Sequence, residues 1–224
     1  MREDEFLHEL KKININISDE QINMLRIYKN YLQSQNELYN LTALISDEDI
    51  YLKHFYDSIV VAKYYNFNDI KSITDIGTGA GFPGVIIKIF FPNLKVYLVD
   101  SNGKKIKFLN ELIKLLNLNE IVIINSRIED LNIKTDVVIA RAVGSISYLA
   151  ELSYNVYQKD LILMRGRKEE ISQNLLNSLN LKIIKQEEYL LPISKDIRNI
   201  MVFNKKTHNV KYPRKYILIK KQSL

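Results

Sequence analysis

The chain has 224 residues, 46% of them apolar, and carries 32 Lys/Arg against 26 Asp/Glu for a net charge of +6. That length suits one domain, or one domain with an extension. The absence of cysteine excludes disulfides, thiolate metal sites and cysteine nucleophiles. No apolar run reaches the roughly 18 residues of a membrane span, and the acidic start Met1-Arg2-Glu3-Asp4-Glu5 does not suit a signal peptide, so a cytoplasmic protein without membrane or metal partners is expected.

Residues 1–68 read as a helical extension. Ser18 with Gln21 three residues on forms a capping box. It opens a helix expected to end near Tyr31, with Ile22, Leu25, Tyr28 and Leu32 on one stripe. A loop is expected over 35–42, after which Ser46 caps a second helix with Ile50, Tyr51, Phe55, Ile59 and Val60 on its apolar face.

From Lys71 the period changes. Short apolar runs predict strands at 72–76, 95–99, 121–125, 136–140, 160–165, 182–189 and 199–203, with helices at 84–91, 104–116, 145–157 and 169–179 between them. Strand–helix alternation with continuously apolar strands predicts an α/β fold with a doubly wound, mostly parallel seven-stranded sheet. The last two strands have little between them and read as a closing hairpin. The expected division is a helical extension over 1–68, a sheet domain over 69–204 and a basic tail over 205–224. From Lys195 onward there are nine basic residues and one acid, a net +8, leaving 23 basic and 25 acidic residues upstream, a net −2. The tail is either a solvated arm or a phosphate-contacting one.

Ligands of open α/β sheets bind beyond the carboxyl ends of the strands, so the residues after each strand carry the functional information. After the first comes Gly77-Thr78-Gly79-Ala80-Gly81-Phe82-Pro83-Gly84, which holds four of the chain's seven glycines. A strand running into a glycine-rich loop and a helix builds a nucleotide floor. A dinucleotide pattern fits from Gly79 but fails from Gly77, where its third position is Phe82. Because the strand ends at Ile76, the frame from Gly77 applies and argues against nicotinamide or flavin dinucleotides. The loop also lacks the Lys-Ser/Thr of a phosphoryl-transfer loop.

After the second strand comes Asp100, 23 residues beyond Gly77, which suits a ribose diol or a helix N-cap. After the third comes Ser126-Arg127-Ile128-Glu129-Asp130, an apolar residue beside a carboxylate that suits an adenine and its amine, or a solvated turn. After the fourth comes Arg141-Ala142-Val143-Gly144, placing Arg141 at the cleft where a substrate lies. Together these loops outline the layout of a class I (Rossmann-like) S-adenosylmethionine methyltransferase. Without cysteine, covalent attack on pyrimidine C6 is out. No Asn-Pro-Pro-aromatic string occurs, which disfavours the adenine amine. Guanine N7 needs neither device and is permitted as acceptor, not selected.

Tyr39-Asn40-Leu41-Thr42-Ala43, Lys53-His54-Phe55-Tyr56-Asp57-Ser58, the glycine loop with Phe-Pro-Gly, Asp100-Ser101-Asn102-Gly103-Lys104-Lys105, Ser126-Arg127-Ile128-Glu129 and Arg141-Ala142 resemble the RsmG (glucose-inhibited division protein B) family. These are guanine-N7 methyltransferases of 16S ribosomal RNA. The resemblance runs from about Leu38 to Phe203. It implies that Gly77, Gly79, Phe82, Asp100, Ile128, Glu129 and Arg141 serve the cofactor, S-adenosylmethionine, and that Arg141 also reaches the acceptor. It makes Lys53, His54, Lys104, Lys105, Arg165 and Arg198 RNA-contact candidates, with the small ribosomal subunit as partner. His54 reads equally as a buried, satisfied imidazole. The chain departs from the family in lacking tryptophan, in Arg198-Asn199 where the family has Arg-His, and in Arg165-Gly166 where it has Lys-Gly. The N-terminal helices read as a cap over the sheet, and a monomer is expected. Two other readings stay open: a non-catalytic nucleotide-binding assembly factor and an NAD-binding oxidoreductase.

Overall fold

A computed structural model describes residues 1–166, 169–209, 211–221 and 224. Seven strands form one sheet in the order β3-β2-β1-β4-β5-β7-β6. They are β1 (Ser72–Ile76), β2 (Lys95–Asp100), β3 (Ile121–Asn125), β4 (Thr135–Arg141), β5 (Tyr157–Arg165), β6 (Leu181–Leu190) and β7 (Ile197–Lys205). β1 to β5 pair in parallel, and β7 runs antiparallel to both β5 and β6. Every expected strand is present, and the last two form the expected hairpin.

The helices are α1 (Glu3–Lys12), α2 (Asp19–Tyr39), α3 (Asp47–Asp49), α4 (Asp57–Ile59), α5 (Gly84–Phe90), α6 (Gly103–Leu115), α7 (Ile146–Leu152), α8 (Gln173–Ser178) and α9 (Tyr216–Lys221). A π-helical stretch, Ile50–Tyr56, joins α3 to α4, and a 3-10 turn, Val60–Lys63, follows. One apolar cluster packs α1, α2, the 50–61 segment, α5 and α6 on one face of the sheet, through Phe6, Tyr28, Phe55, Ile86 and Phe108. A second packs α7 and α8 on the other face, through Leu149, Tyr154, Leu175 and Leu179. Both faces of the central parallel strands are therefore covered, which is why Val137 and Ile139 on one face and Val138 and Leu161 on the other are buried and these strands read as apolar runs.

Three boundaries differ from expectation. The loop expected over 35–42 is helical as far as Tyr39, because the Asn36 carboxamide oxygen accepts from the Leu41 and Thr42 N–H groups and Asn40 takes the left-handed conformation that ends a helix. The helix expected over 145–157 stops at Leu152. Ser153 closes its last turn and β5 begins at Tyr157, beside β4. The helix expected over 169–179 starts only where Ser172 caps Leu175. The basic tail is docked rather than frayed: Arg214 makes a two-pronged ion pair, 2.7 Å on each arm, with the fully buried Glu151 of α7.

Candidate active site

The order of strands reverses between β1 and β4, and the crevice beyond their carboxyl ends is where such sheets bind ligands. β1 delivers the chain to Gly77, whose φ of +67° is strained for any other residue and whose added Cβ would stand 2.6 Å from Val143 Cγ2. Asp75, wholly buried in β1, staples the loop. Its Oδ2 accepts from the Thr78 hydroxyl at 2.6 Å and the Gly84 N–H at 2.8 Å, while Oδ1 has no partner. Burial raises this carboxyl to about 6, against the pull of those two donors and Arg141. Gly84 is required for contact, since a Cβ there would lie 2.5 Å from Leu98 and 2.7 Å from the Asp75 carboxylate.

Asp100 ends β2. Its Oδ2 accepts from Gly79 N–H at 3.0 Å and its Oδ1 from Asn102 N–H at 2.8 Å, with the Lys105 ammonium 3.6 Å away. The N-cap of α6 is Asn102, which accepts from Lys104 N–H, so Asp100 is not that cap. Each of its oxygens has acceptor capacity to spare, and the residue lines the crevice. A cavity of about 160 Å³ opens there, lined by Gly77, Asp100, Ile128, Glu129 and Val143 among others. Glycine backbone, a buried acceptor pair, an apolar side chain and a second carboxylate converge on it, a set that fits a nucleoside. Phe82 lies elsewhere. It is buried between His54 (ring centroids 4.5 Å apart) and Tyr28 (5.2 Å), facing the N-terminal helices.

A second cavity of about 320 Å³ is bordered by Ala142, the neighbour in the chain of Val143. Lys53, His54, Asp57, Arg141, Arg165, Tyr189 and Arg198 line it with Leu44, Ala142, Met164 and Gly166. Its organising group is the buried Asp57. One carboxylate oxygen lies 3.4 Å from Arg141 Nη1 and 3.2 Å from Arg198 Nε; the other accepts the Tyr189 hydroxyl at 3.0 Å. Burial first, and then Asp57, push the Tyr189 hydroxyl far above its ordinary value. Arg141 also donates to the Lys53 carbonyl at 3.0 Å and stands over the Phe82 ring.

The six basic candidates separate. Lys53 pairs with Asp49 at 2.8 Å and Lys104 is exposed on α6. Arg165 is 8% exposed and donates to the Val143 and Gly144 carbonyls at 2.8 and 2.5 Å. It therefore holds the 143–144 loop while also lining the larger cavity. His54 is also buried, with Nε2 3.0 Å from the Thr42 hydroxyl. Asp57, Tyr189 and Asp75 were not singled out from the sequence. Asp57 stands inside a quoted string, but its arginine partners are 84 and 141 residues away. Among the described residues no three His, Asp or Glu side chains gather to hold a metal, and no helix is long and apolar enough to cross a membrane.

Comparison with known proteins gives the family and the fold. The family described as rRNA small subunit methyltransferase G matches residues 21–201. A Ribosomal RNA small subunit methyltransferase G of Oceanobacillus iheyensis is 38% identical over all of both chains. Its namesake in Mycoplasma capricolum is 40% identical over 94% of each, and that of Clostridium kluyveri 40% identical over 96% of this chain and 95% of its own. In fold the chain is similar to magnesium protoporphyrin IX methyltransferase from Synechocystis with bound SAM (TM-score 0.57, 14% identity, 85% of this chain and 99% of that one). It is similar also to M. jannaschii TYW2 in complex with AdoMet (TM-score 0.51, 17% identity, 66% and 74%). The family match covers most of the chain and the curated relatives span it, so this protein belongs to the rRNA small subunit methyltransferase G family.

Proposed function

We propose that this chain transfers the methyl group of S-adenosylmethionine to N7 of a guanosine in 16S ribosomal RNA. The smaller cavity would hold the cofactor and the larger one the acceptor base. The observation that carries this reading is the loop 142–144 at the switch point of the sheet: Val143 borders the first cavity and Ala142 the second. Donor and acceptor would lie beside the same loop, so that methyl and base can be brought into the direct contact an in-line transfer requires.

In this reading Gly77 and Gly79 present backbone to the cofactor and Asp100 accepts from the ribose hydroxyls. Ile128 packs on the adenine and Glu129 accepts from its amine. S-adenosylmethionine supplies an electrophilic methyl on a positively charged sulfonium. Guanine N7 already offers a free lone pair, so no residue serves as general base. Arg141 positions the acceptor. Its charge is offset by the buried Asp57 carboxylate, so the cleft tolerates positive charge as the guanine becomes cationic. Lys53 and Arg198, which line the larger cavity, and Lys104 and Lys105 of α6 would be the phosphate contacts. The partner is the small ribosomal subunit, met by a monomer in the cytoplasm.

Separate titrations with S-adenosylhomocysteine and NAD test the cofactor assignment. Binding of S-adenosylhomocysteine with no response to NAD is expected, and the reverse would turn the reading toward an oxidoreductase. S-adenosylhomocysteine binding without methyl transfer to small subunits from cells lacking this protein would leave a non-catalytic assembly factor.

A further inference from the structure

A cavity of about 540 Å³ opens at the far end of the sheet and exceeds both cavities at the switch point. It lies where β4 and β5 begin and β7 ends, since Thr135 pairs with Tyr157 and Asp160 with Asn204. The nine residues of β5 separate it from the crevice, about 25 Å at roughly 3.3 Å per residue. Its charge has one sign. Lys134, Lys205, Lys206 and His208 line it beside the Asn132 and Gln158 amides, and among the described residues no Asp or Glu does. Burial first, and then Lys134, lower the Lys205 ammonium to about 8, with no carboxylate opposing them.

The cations are held in place rather than left to solvent. Lys205 Nζ donates to the Tyr157 carbonyl at 2.6 Å and to that of Tyr154, and it lies 4.1 and 4.2 Å from the centres of the two rings. The Tyr154 hydroxyl donates to the Thr207 carbonyl at 3.3 Å and accepts from Asn209 N–H at 2.9 Å, while the His208 ring stacks on the Tyr154 ring at 5.2 Å. A loop fixed in this way loses little freedom when a ligand arrives. Positive charge that the protein does not neutralise draws in anions.

Resting on the small-subunit RNA substrate of the reading above, we infer that this cavity is a second RNA-contact site. Lys134, Lys205, Lys206 and His208 hold phosphodiester oxygens of the substrate backbone there, away from the reacting guanosine. The path of the chain favours a polymer over a free phosphate. From Lys205 it runs past Arg214, paired with Glu151 of α7, to Leu224, whose carbonyl accepts from the Ser147 and Ser172 hydroxyls. Ser147 stands in the first turn of α7, directly after the 142–144 loop. Lys211, Lys215, Lys220 and Lys221 are exposed along this strap, which carries positive charge from the cavity back toward the crevice. A phosphate chain can follow that charge, whereas a single phosphate meets only the cavity.

The test compares the full-length Lys134→Gln/Lys206→Gln variant with Lys11→Gln/Lys12→Gln on α1, which removes the same charge outside the cavity. All four lysines are exposed. In labelled methyl transfer to small subunits from cells lacking this protein, the cavity variant should raise KM roughly 3- to 10-fold. It should also reduce the slope of log affinity against log salt by about 0.7–0.9 for each contact removed. The α1 variant should leave both as in the parent, and S-adenosylhomocysteine affinity should be unchanged in each. Equal effects of the two variants, or no effect of the cavity variant, would overturn the inference. Inorganic phosphate that shifts the His208 imidazole signals, with the parent KM kept in the cavity variant, would overturn it in favour of a small-anion site. If thermal unfolding shows that the cavity variant does not fold, amine-reactive labelling of the parent chain decides. Bound small subunits should protect Lys134 and Lys206 several-fold more than Lys11 and Lys12, and equal protection overturns the inference. Failure of the underlying reading shows separately, as a parent chain that places no label in small-subunit RNA.

Discussion

Asp57 and Arg141 meet in the wall of the larger cavity, carboxylate oxygen to guanidinium nitrogen at 3.4 Å, with Arg198 on the same oxygen and the Tyr189 hydroxyl on the other. This cluster ties a helix from the N-terminal extension to the ends of β4, β6 and β7, and it neutralises the guanidinium groups that line the larger cavity. Asp57→Ala should cost about 3–5 kcal/mol of stability by leaving buried charge unpaired, and should lower kcat/KM for RNA methylation. Denaturant unfolding beside the transfer assay checks both. Unchanged stability would mean the arginines find other partners.

Asp100 holds the Gly79 N–H and retains acceptor capacity toward the smaller cavity. Asp100→Ala should weaken S-adenosylhomocysteine binding by roughly 1–3 kcal/mol, since ribose hydroxyls would lose their partner. Calorimetric titration measures this, and an unchanged affinity would confine Asp100 to bracing the loop.

The His54 imidazole makes stability depend on pH with a definite sign. Burial is the largest cause that lowers it, followed by Arg141 and then Lys53, against the Leu44 backbone and Asp49, from an ordinary value of 6.5 to about 3. Between those values the unfolded chain binds a proton that the folded one does not, so stability is lost as pH falls below about 6.5. At pH 5 the contribution of this one group is on the order of 2 kcal/mol, at 1.36 kcal/mol per pH unit. His54→Phe should flatten the stability profile between pH 6.5 and 5. An identical slope in parent and variant would assign the acid sensitivity to other groups.

The tail calls for a charge test that spares its anchor. Deleting residues 205–224 would leave Glu151 buried without Arg214 and remove the last residue of β7, so lost RNA binding would report unfolding as much as lost contacts. Lys215, Lys220 and Lys221 are exposed. Changing all three to Gln should weaken RNA binding and reduce the slope of log affinity against log salt by about 0.7–0.9 for each phosphate contact removed. An unchanged slope would make the tail a structural strap alone.

The sheet was legible because its central strands are buried on both faces, as in the apolar runs Val137–Ala140 of β4 and Leu161–Met164 of β5. The frame of the glycine loop was legible because the strand ends at Ile76. The ends of the helices at 145–157 and 169–179 were not, since Ser153 and Ser172 act through local hydrogen bonds that apolar periodicity does not register. The role of Arg165 was hidden for a related reason. An arginine at a strand end reads as a surface charge until the Val143 and Gly144 carbonyls, 22 and 21 residues away, are seen to take its donors. The pairing of Asp57 with Arg141 and Arg198 exists only once β4 and β7 are placed, so no local pattern announces it.

The most direct test is methyl transfer from labelled S-adenosylmethionine to small ribosomal subunits from cells lacking this protein, followed by strand cleavage specific to N7-methylguanosine. Label in 16S ribosomal RNA that is released at a single guanosine by that cleavage is the expected result, abolished in Arg141→Ala. Label that resists N7-specific cleavage, or transfer that persists undiminished in Arg141→Ala, would contradict the account.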